Sequence, residues 1–379
     1  MNPSRFLFAV SVPCALLFAV ACGGDDGSTP SPDAGTGALH AALEPIRAAH
    51  HIPALTAALA SPDGVLEIAA VGTRHRDTTV PVTVDDQWHL GSCTKAMTAT
   101  LVALAVEEGR LTWATTLAQA LPALAARMDA AYRDVPIEWL LAHRAGTWTT
   151  FEGHEAALST LSDEDSLVEQ RAAFTEIVLT TPPELPPGTA FGYSNAGYMI
   201  AGAILEATYG VAWEQLLTDR LFTPLAMTSC GFGPPGTASA LDQPWGHAGE
   251  AMTPMSPDDV NADNPPAIGP AGTVHCALAD WAKFGALQLG AHPEVLSATS
   301  LERLHTPPFP SDGYALGWIR GTDPLVGNYL AHDGSNTRWL AVVFLLPDED
   351  RLLMVAANAA TEDTSVGVNE ALIELAQRR

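Results

Sequence analysis

A serine and a lysine three residues apart, Ser92 and Lys95, are the residues of this chain best suited to nucleophilic chemistry. Residues three or four apart share one face of a helix, so the hydroxyl and the amine would be neighbours. Only Lys95 and Lys283 are lysines among the 18 basic residues, and lysine, unlike arginine, gives up its proton readily when buried. At a helix N-terminus the dipole also disfavours the ammonium form. Such an amine can activate a serine for attack.

The residues that follow Lys95 indicate a buried helix. Met97, Leu101 and Leu104 recur at helical spacing among Ala and Val, and Gly109 suits a C-terminal cap. A helix that is apolar nearly all round lies inside a protein. The pattern therefore favours a lysine held in the interior or a cleft. The alternative is a serine helix cap followed by a solvated lysine.

The overall composition bounds the class of protein. With 379 residues, 47% of them hydrophobic, the chain suits one large fold carrying an insertion. A net charge of -25 argues against binding to nucleic acid or, by electrostatics, to anionic lipid. It suits a secreted surface. No C-x-x-C or H-E-x-x-H spacing occurs, so we predict neither a metal site nor a cofactor.

The N-terminus has the features of an export signal. Arg5 precedes an apolar run, Phe6 to Ala21, that is shorter than the about 20 residues needed to span a bilayer. Small residues precede Cys22, which resembles a bacterial lipoprotein signal. We therefore expect a signal peptide over residues 1–21, lipidation of Cys22 and a cell-envelope location, periplasmic or surface, with simple secretion as the alternative. Residues 22–37, rich in Gly, Ser, Pro and Asp, predict a flexible linker before a domain over 38–379.

Three cysteines remain beyond Cys14 in the signal and Cys22. An exported protein can pair at most two of them, and the sequence leaves the pairing open. Cys93 neighbours the candidate serine, but on a buried helix we predict a small packed residue rather than a nucleophile. The three are Cys93, Cys230 and Cys276.

Hydrophobic periodicity and turn signals predict helices and strands along the domain. The predicted helical segments are Ala38–His51, parts of Leu111–Leu141, most of Thr149–Ala226 with a break at Pro182–Gly188, Ala277–Leu289 after a turn at Gly269–Cys276, and Val366–Gln377. The predicted strands are Ala54–Ala60, Val65–Val71, Tyr314–Ile319, Trp339–Leu346 and Arg351–Ala357. Strands at both chain ends with helices between them predict a sheet completed by distant segments.

A second candidate pair, Tyr193 and Asn195, lies on a loop just before an apolar helix. Residues two apart in an extended loop can point the same way, and a phenol beside an amide suits proton transfer and substrate hydrogen bonding. The alternative is a packing aromatic residue and an Asn helix cap. The surrounding G-Y-S-N-A lacks the last glycine of the G-x-S-x-G elbow, so that motif is rejected. His143, farther upstream, is predicted to be a structural partner for backbone.

Three residue pairs in chain order resemble the S-x-x-K, Y-x-N and K-T-G or H-x-G motifs of the serine β-lactamase and penicillin-binding protein superfamily. The similarity is greatest to the branch with class C β-lactamases, D-alanyl-D-alanine carboxypeptidases and family VIII esterases. It covers about residues 38–377 and implies an α+β fold, β-lactamase/transpeptidase-like, in which helices flank an antiparallel sheet and an all-helical region is inserted at about residues 115–225. The pairs are Ser92 and Lys95, Tyr193 and Asn195, and His332 and Gly334.

The resemblance implies a role for each residue of the first two pairs. Ser92 would be the acylated nucleophile. Lys95 would hold or accept its proton, with Tyr193 as the second proton carrier. Asn195 would bond Lys95 and a substrate amide.

The third motif implies substrate contacts and carries the main departure from the family pattern. The backbone N–H groups of Ser92 and Ser335 would form the oxyanion hole, and His332, before Gly334, would stand on a strand edge and contact Tyr193 or a substrate carboxylate. H-D-G replaces K-T-G, so a permanent positive charge is lost, because histidine is mostly neutral near pH 7. The adjacent aspartate adds a negative charge. The alternative is a packed or capping histidine.

Two functions follow from these motifs. The first is a serine hydrolase that forms an acyl-enzyme with an ester, amide, lactam or D-amino-acid peptide. The lost charge argues against β-lactams more than against acyl-enzyme chemistry, and peptides stay open because H-x-G also occurs in peptidases of the branch. The alternative is a non-catalytic, penicillin-binding-protein-like module that binds cell-wall peptides or partners.

Overall fold

The structure, a computed structural model, describes residues 37–158 and 165–379. The expected signal peptide, the lipidation site Cys22 and all of the linker but its last residue lie outside these ranges. Within them, no helix combines the length and the hydropathy needed to cross a membrane.

Eleven strands and twelve α-helices make up the described ranges. The strands are β1 Ala54–Ser61, β2 Gly64–Gly72, β3 Gln87–His89, β4 Gly231–Phe232, β5 Gly246–Ala248, β6 Thr253–Met255, β7 Val274–Ala277, β8 Ile319–Asp323, β9 Gly327–Ser335, β10 Leu340–Leu346 and β11 Arg351–Ala357. The helices are α1 Ala38–Ala49, α2 Thr94–Glu107, α3 Leu117–Ala120, α4 Ile137–Leu141, α5 Glu155–Leu158, α6 Leu167–Thr180, α7 Asn195–Tyr209, α8 Trp213–Leu217, α9 Gly269–Gly272, α10 Leu278–Gln288, α11 Ala298–His305 and α12 Glu362–Arg378.

The main sheet is antiparallel and joins the two ends of the chain. Its order is β2-β1-β11-β10-β9-β8, so β1, from the N-terminal hairpin, pairs with the C-terminal β11. Both strands are apolar, and they are buried along nearly their whole length. Such strands need cover on both faces. The α+β fold and the completion of the sheet by distant segments are thus confirmed.

Helices cover the two faces of this sheet with separate apolar clusters. Leu43 of α1 and Leu375 of α12 pack with Val355 on one face. On the other face, Met354 belongs to a larger cluster with Phe284 of α10 and residues of α2. The nucleophile helix α2 is therefore enclosed between the sheet and the helical region.

The helical region lies where the sequence predicts an insertion. Between residues 94 and 230, the described part of the chain forms helices and turns and contains no strand. Its central helix, α7, packs against α2, α4 and α6. This contact matters for the site, because the N-terminus of α7 meets that of α2.

Two segments have a different secondary structure from the one predicted. Tyr314–Ile319 is a tight turn instead of a strand, since Ala315 N–H donates to the Trp318 carbonyl and Tyr314 bridges to Ile319. Gly317 makes the turn possible with φ +84°, and a Cβ there would lie 2.8 Å from the Ala96 Cα. The strand, β8, begins only at Ile319.

The approach to α10 also differs from the prediction. The segment predicted as one turn, Gly269–Cys276, contains the short helix α9 and most of β7, and α10 begins at Leu278. β7 pairs with β3 and β4 in a three-stranded sheet, and these tertiary hydrogen bonds decide its conformation. The short run of residues carries no period strong enough to predict a strand.

A disulfide bond joins Cys230 to Cys276, which settles the open pairing and leaves Cys93 as a buried thiol. It ties the start of β4 to β7 across 46 residues of sequence. Burial raises the pKa of the Cys93 thiol, which disfavours the nucleophilic thiolate. The expectation that Cys93 is a packed residue is confirmed.

We expect the double variant C230S/C276S to lower the free energy of unfolding by about 2–4 kcal/mol, because the disulfide limits the conformational entropy of the unfolded chain. Urea denaturation followed by tryptophan fluorescence measures this difference. Wild-type protein unfolded in a strong reducing agent should match the variant. Equal stability of oxidised wild type and variant would contradict the prediction.

Candidate active site

The nucleophile turn is the 3-10 turn Gly91–Cys93, which leads directly into α2. It lies against β9 at a backbone contact that only glycine permits. A Cβ on Gly91, which has φ +50°, would lie 2.4 Å from the Ser335 nitrogen. A Cβ on Gly334 would lie 2.5 Å from the Ser92 nitrogen. These contacts bring together the two backbone amides predicted to form an oxyanion hole.

Lys95 is fully buried, and its amine contacts three groups of the site. The Nζ atom lies 2.9 Å from Ser92 Oγ, 2.7 Å from Asn195 Oδ1 and 2.7 Å from the Ala271 carbonyl oxygen. As a neutral amine, Nζ donates to the last two and accepts from the Ser92 hydroxyl. That is the arrangement in which a serine can pass its proton to lysine. Ser92 itself is partly exposed, so a substrate can reach it.

Burial lowers the pKa of Lys95 to about 7. Among the described residues no carboxylate accepts a hydrogen bond from Nζ, so no ion pair offsets the lost hydration. Nearby Cys93 and Asp333 raise the pKa in part. The amine therefore changes its charge near neutral pH, as a general base must.

Tyr193 is a neighbour of both Lys95 and Ser92. Its ring centroid lies 4.9 Å from the lysine Nζ. Burial raises the pKa of the phenol above its ordinary value, and a hydrogen bond with Ser92 lowers it in part. The phenol therefore stays protonated where the amine titrates. Environments that push two pKa values apart in this way assign the base role to the amine and a donor role to the phenol.

The loop that carries Tyr193 is held by the residue that follows it. Ser194 is the N-cap of α7, and its Oγ accepts from Gly197 N–H at 3.0 Å, so the alternative of Asn195 as the helix cap is not found. Ser194 N–H donates to His143 Nδ1 at 3.0 Å. This bond confirms that His143 is a partner for backbone. Capping by Ser194 leaves Asn195 Oδ1 available to Lys95.

His332 lies in β9 just past the end of its pairing with β8, where the last paired residue is Ala331. One side of the strand is therefore a sheet edge, as expected. The contact with Tyr193 is not found. His332 Nδ1 lies 2.6 Å from the Asp333 carbonyl oxygen, and Nε2 lies 3.0 Å from the Tyr314 Oη. The ring is engaged within the protein because the turn at Tyr314–Ile319 brings a second phenol to it.

These bonds define the state of His332. A carbonyl can only accept, so Nδ1 carries the proton and Nε2 accepts from the tyrosine. Burial lowers the pKa of His332 to about 4, so the ring is neutral at pH 7. The side chain of Asp333 points outward and is exposed. The third motif thus offers a substrate no positive charge and one negative charge.

Three groups of the site were missed from the sequence. They are the Ala271 carbonyl, Tyr314 and the role of His143 as an aromatic neighbour, whose ring centroid lies 4.3 Å from that of Tyr193. A backbone carbonyl has no sequence signal. Tyr314 lay in a segment wrongly predicted as a strand. Only the fold shows that these groups converge.

A cavity of about 580 Å³ lies beside the nucleophile turn. One wall includes Thr273, and the preceding Gly272 would place a Cβ 3.3 Å from the Gly91 carbonyl carbon. Among the described residues that line it are three carboxylates and no Lys or Arg; the carboxylates are Glu214, Asp259 and Asp263. These three are not placed to hold a metal ion together, and no other group of three His, Cys, Asp or Glu side chains in the described ranges is either.

Comparison with known proteins agrees with this fold. A family model described as Beta-lactamase matches residues 39–378. The chain is 33% identical over 318 residues to penicillin-binding protein 4 of Amycolatopsis lactamdurans, covering 80% of each protein.

Two solved structures show the same fold. A D-stereospecific amidohydrolase from Streptomyces sp. superposes with a TM-score of 0.68 at 20% identity, over 88% of this chain and 97% of that one. A class C β-lactamase from Rhodobacter sphaeroides superposes with a TM-score of 0.68 at 22% identity, over 89% of this chain and 98% of that one. The fold is therefore that of the serine β-lactamases and penicillin-binding proteins, and the chain belongs to the Beta-lactamase family. This membership supports a function of the serine hydrolase type.

We expect the Lys95 amine to titrate near pH 7, because burial disfavours its charged form. The chain has two lysines, so lysine labelled with ¹³C at Cε should give two resolvable NMR signals. The Lys283→Arg variant assigns them. A Lys95 signal that does not move between about pH 6 and pH 8 would contradict the prediction.

Proposed function

We propose that this protein is a serine hydrolase that forms an acyl-enzyme through Ser92 and acts on an ester, an amide or a D-amino-acid peptide. The observation that carries the proposal is the 2.9 Å contact between Ser92 Oγ and a buried Lys95 Nζ whose pKa is about 7. The names of the similar proteins, which include a penicillin-binding protein and a D-stereospecific amidohydrolase, support it.

The proposed acylation uses only groups of this chain. Ser92 Oγ attacks the carbonyl carbon while its proton passes to the neutral Lys95 Nζ. The oxyanion accepts from the backbone N–H groups of Ser92 and Ser335. When the tetrahedral intermediate collapses, the leaving group departs with a proton from Lys95 or Tyr193. Water then attacks the acyl-enzyme by the reverse sequence of proton transfers and regenerates Ser92.

The alternative, a non-catalytic module of the same fold, is less consistent with the buried amine. A buried lysine without a carboxylate partner destabilises the folded protein. A binding protein gains nothing from that arrangement beside a serine. Among the members of the fold, an acyl-transfer enzyme is the one whose chemistry needs it.

We also propose that the protein is exported. The N-terminal sequence indicates it, and the Cys230–Cys276 disulfide is consistent with an oxidising compartment. Lipidation of Cys22 remains a prediction. Mass spectrometry of the mature N-terminus from the native host distinguishes a lipid anchor from simple cleavage.

Incubation with a p-nitrophenyl phosphonate should add one phosphonyl group to Ser92, because this reagent traps an activated serine. Peptide mass mapping locates the adduct. Ser92→Ala should give none, and Lys95→Arg should slow the reaction by about 10²–10⁴-fold, since a guanidinium cannot accept the proton. Lys283→Arg is the matched control and should react like wild type. Lack of an adduct in wild type, with short-chain esters also untouched, would favour the binding module.

We expect the enzyme to prefer neutral over anionic acyl groups, because Asp333 is exposed next to a neutral His332 and the third motif has no permanent positive charge. Matched substrates are p-nitrophenyl butyrate and mono-p-nitrophenyl succinate. Asp333→Asn should raise kcat/KM for the succinate about threefold to tenfold relative to the butyrate, by removing a like charge.

The control for charge is Asp348→Asn, which removes the same charge in the turn between β10 and β11, at the other end of β10. It should leave the ratio of the two substrates unchanged. A preference of wild type for the succinate would contradict the expected charge selection.

A further inference from the structure

A chain of three hydrogen-bonded side chains lies beneath the proposed oxyanion hole, and no step of the mechanism uses it. His89 Nδ1 lies 3.2 Å from the Gly91 nitrogen, and His89 Nε2 lies 2.8 Å from Asp263 Oδ2. Asn336 Nδ2 lies 2.8 Å from Asp263 Oδ1. His89 is fully buried and Asn336 is 5% exposed.

The contacts fix the direction of every bond. A backbone N–H can only donate, so His89 Nδ1 accepts from Gly91, and the imidazole proton is on Nε2. That proton is donated to the carboxylate of Asp263. The Asn336 amide and the Asn264 backbone N–H also donate to this carboxylate. The three described hydrogen-bond partners of Asp263 are all donors, so an amide at this position, with the partners unchanged, would leave at least one of them without an acceptor.

These hydrogen-bonded side chains join two segments that are far apart in sequence. Gly91 directly precedes the nucleophile Ser92, and Asn336 directly follows Ser335. Ser92 and Ser335 are the two residues whose backbone N–H groups would bind the oxyanion. The loop that carries Asp263 is therefore connected to both of them, through His89 to Gly91 and directly to Asn336.

We propose that Asp263 is a positioning residue that sets the separation of the two oxyanion-hole amides, acting through His89 on Ser92 and through Asn336 on Ser335. This inference rests on the proposed acyl-enzyme function. It adds a requirement outside the three sequence motifs. Because Asp263 also lines the cavity beside the nucleophile turn, the positioning loop is at the same time part of the cavity wall.

The decisive experiment is a reciprocal exchange of the pair. In Asp263→Asn, the new amide has one acceptor oxygen for two donor side chains. In Asn336→Asp, two carboxylates face each other. In the double variant D263N/N336D, the amide at position 263 can accept from His89 through its oxygen and donate through its nitrogen to the carboxylate at position 336. This restores the contacts from His89 through position 263 to position 336 with the same net charge, while the Asn264 N–H loses its side-chain acceptor and the Ala262 carbonyl loses its donor.

Each single variant should lower the rate of Ser92 phosphonylation and the kcat for p-nitrophenyl butyrate by about 10–100-fold, the effect of a small misplacement of reacting groups. KM should change less than kcat, because the two amides bind the oxyanion of the transition state more strongly than the carbonyl oxygen of the bound substrate. The double variant should recover a large part of the loss.

A matched control is Asp280→Asn. Asp280 is a buried aspartate on α10. It bonds Ser229 and Lys283 and none of the residues that the proposed mechanism uses. It should lower thermal stability without slowing phosphonylation. If Asp263→Asn behaves in the same way, or if the double variant is no faster than the slower single variant, the positioning role is overturned.

Hydrogen–deuterium exchange gives a readout that needs no reaction. Asp263→Asn should speed exchange in peptides covering residues 88–95 and 332–338 together, and the double variant should reverse this. Asn336→Ala, which removes one donor and introduces no charge, should speed exchange as well, which keeps the test open if Asp263→Asn does not fold. If wild type is not phosphonylated, the proposed function is wrong. If exchange is unchanged in every variant, only the positioning inference is wrong.

Discussion

The burial of the Lys95 amine beside Ser92 is the constraint on which the rest of this structure depends. A lysine in an apolar interior has lost its hydration, and no carboxylate restores that loss. The protein compensates with two neutral acceptors, the Asn195 amide and the Ala271 carbonyl. These hold the amine in place without stabilising its charge as strongly as an ion pair would. A pKa of about 7 is the result.

The architecture follows from the need to surround this amine. The nucleophile helix α2 is buried on nearly all sides, between the main sheet and the helical region. Its N-terminus meets the start of α7, the end of β9 and the short helix α9. Each of these contributes one group, and no two of them are adjacent in the sequence. Glycines at positions 91 and 334 permit the closest approach, where a side chain would collide with backbone.

The electrostatics of the site set it apart from one built to hold a substrate carboxylate. His332 is neutral, and both of its ring nitrogens are engaged within the protein. Asp333 is exposed beside it, and three carboxylates line the neighbouring cavity. Glu214 is paired with Arg171, so the exposed Asp333 is the charge best placed to repel a negatively charged substrate. The charge around the third motif is therefore set by residues other than Ser92 and Lys95.

Much of this site could be predicted from the sequence, because its chemistry depends on residue types at short spacings. Ser92 and Lys95 lie one helical turn apart, and the apolar run after them indicated burial. The hairpin β1–β2, the helical region and the strands β10 and β11 were predicted for the same reason, since each has a strong local period. The turn at Tyr314–Ile319 and the strand β7 were not, because a close approach to α2 and pairing with β3 and β4 decide them.

By itself, the sequence determined which groups could react and the order in which they occur along the chain. Only the tertiary structure decided which groups surround them: that His332 bonds Tyr314 rather than Tyr193, that Cys230 pairs with Cys276, and that Asp263 bonds both His89 and Asn336. The physical reason is the distance along the sequence over which each effect acts. Helical spacing and apolar periodicity act over a few residues, whereas the desolvation that shifts a pKa depends on every segment that folds around it.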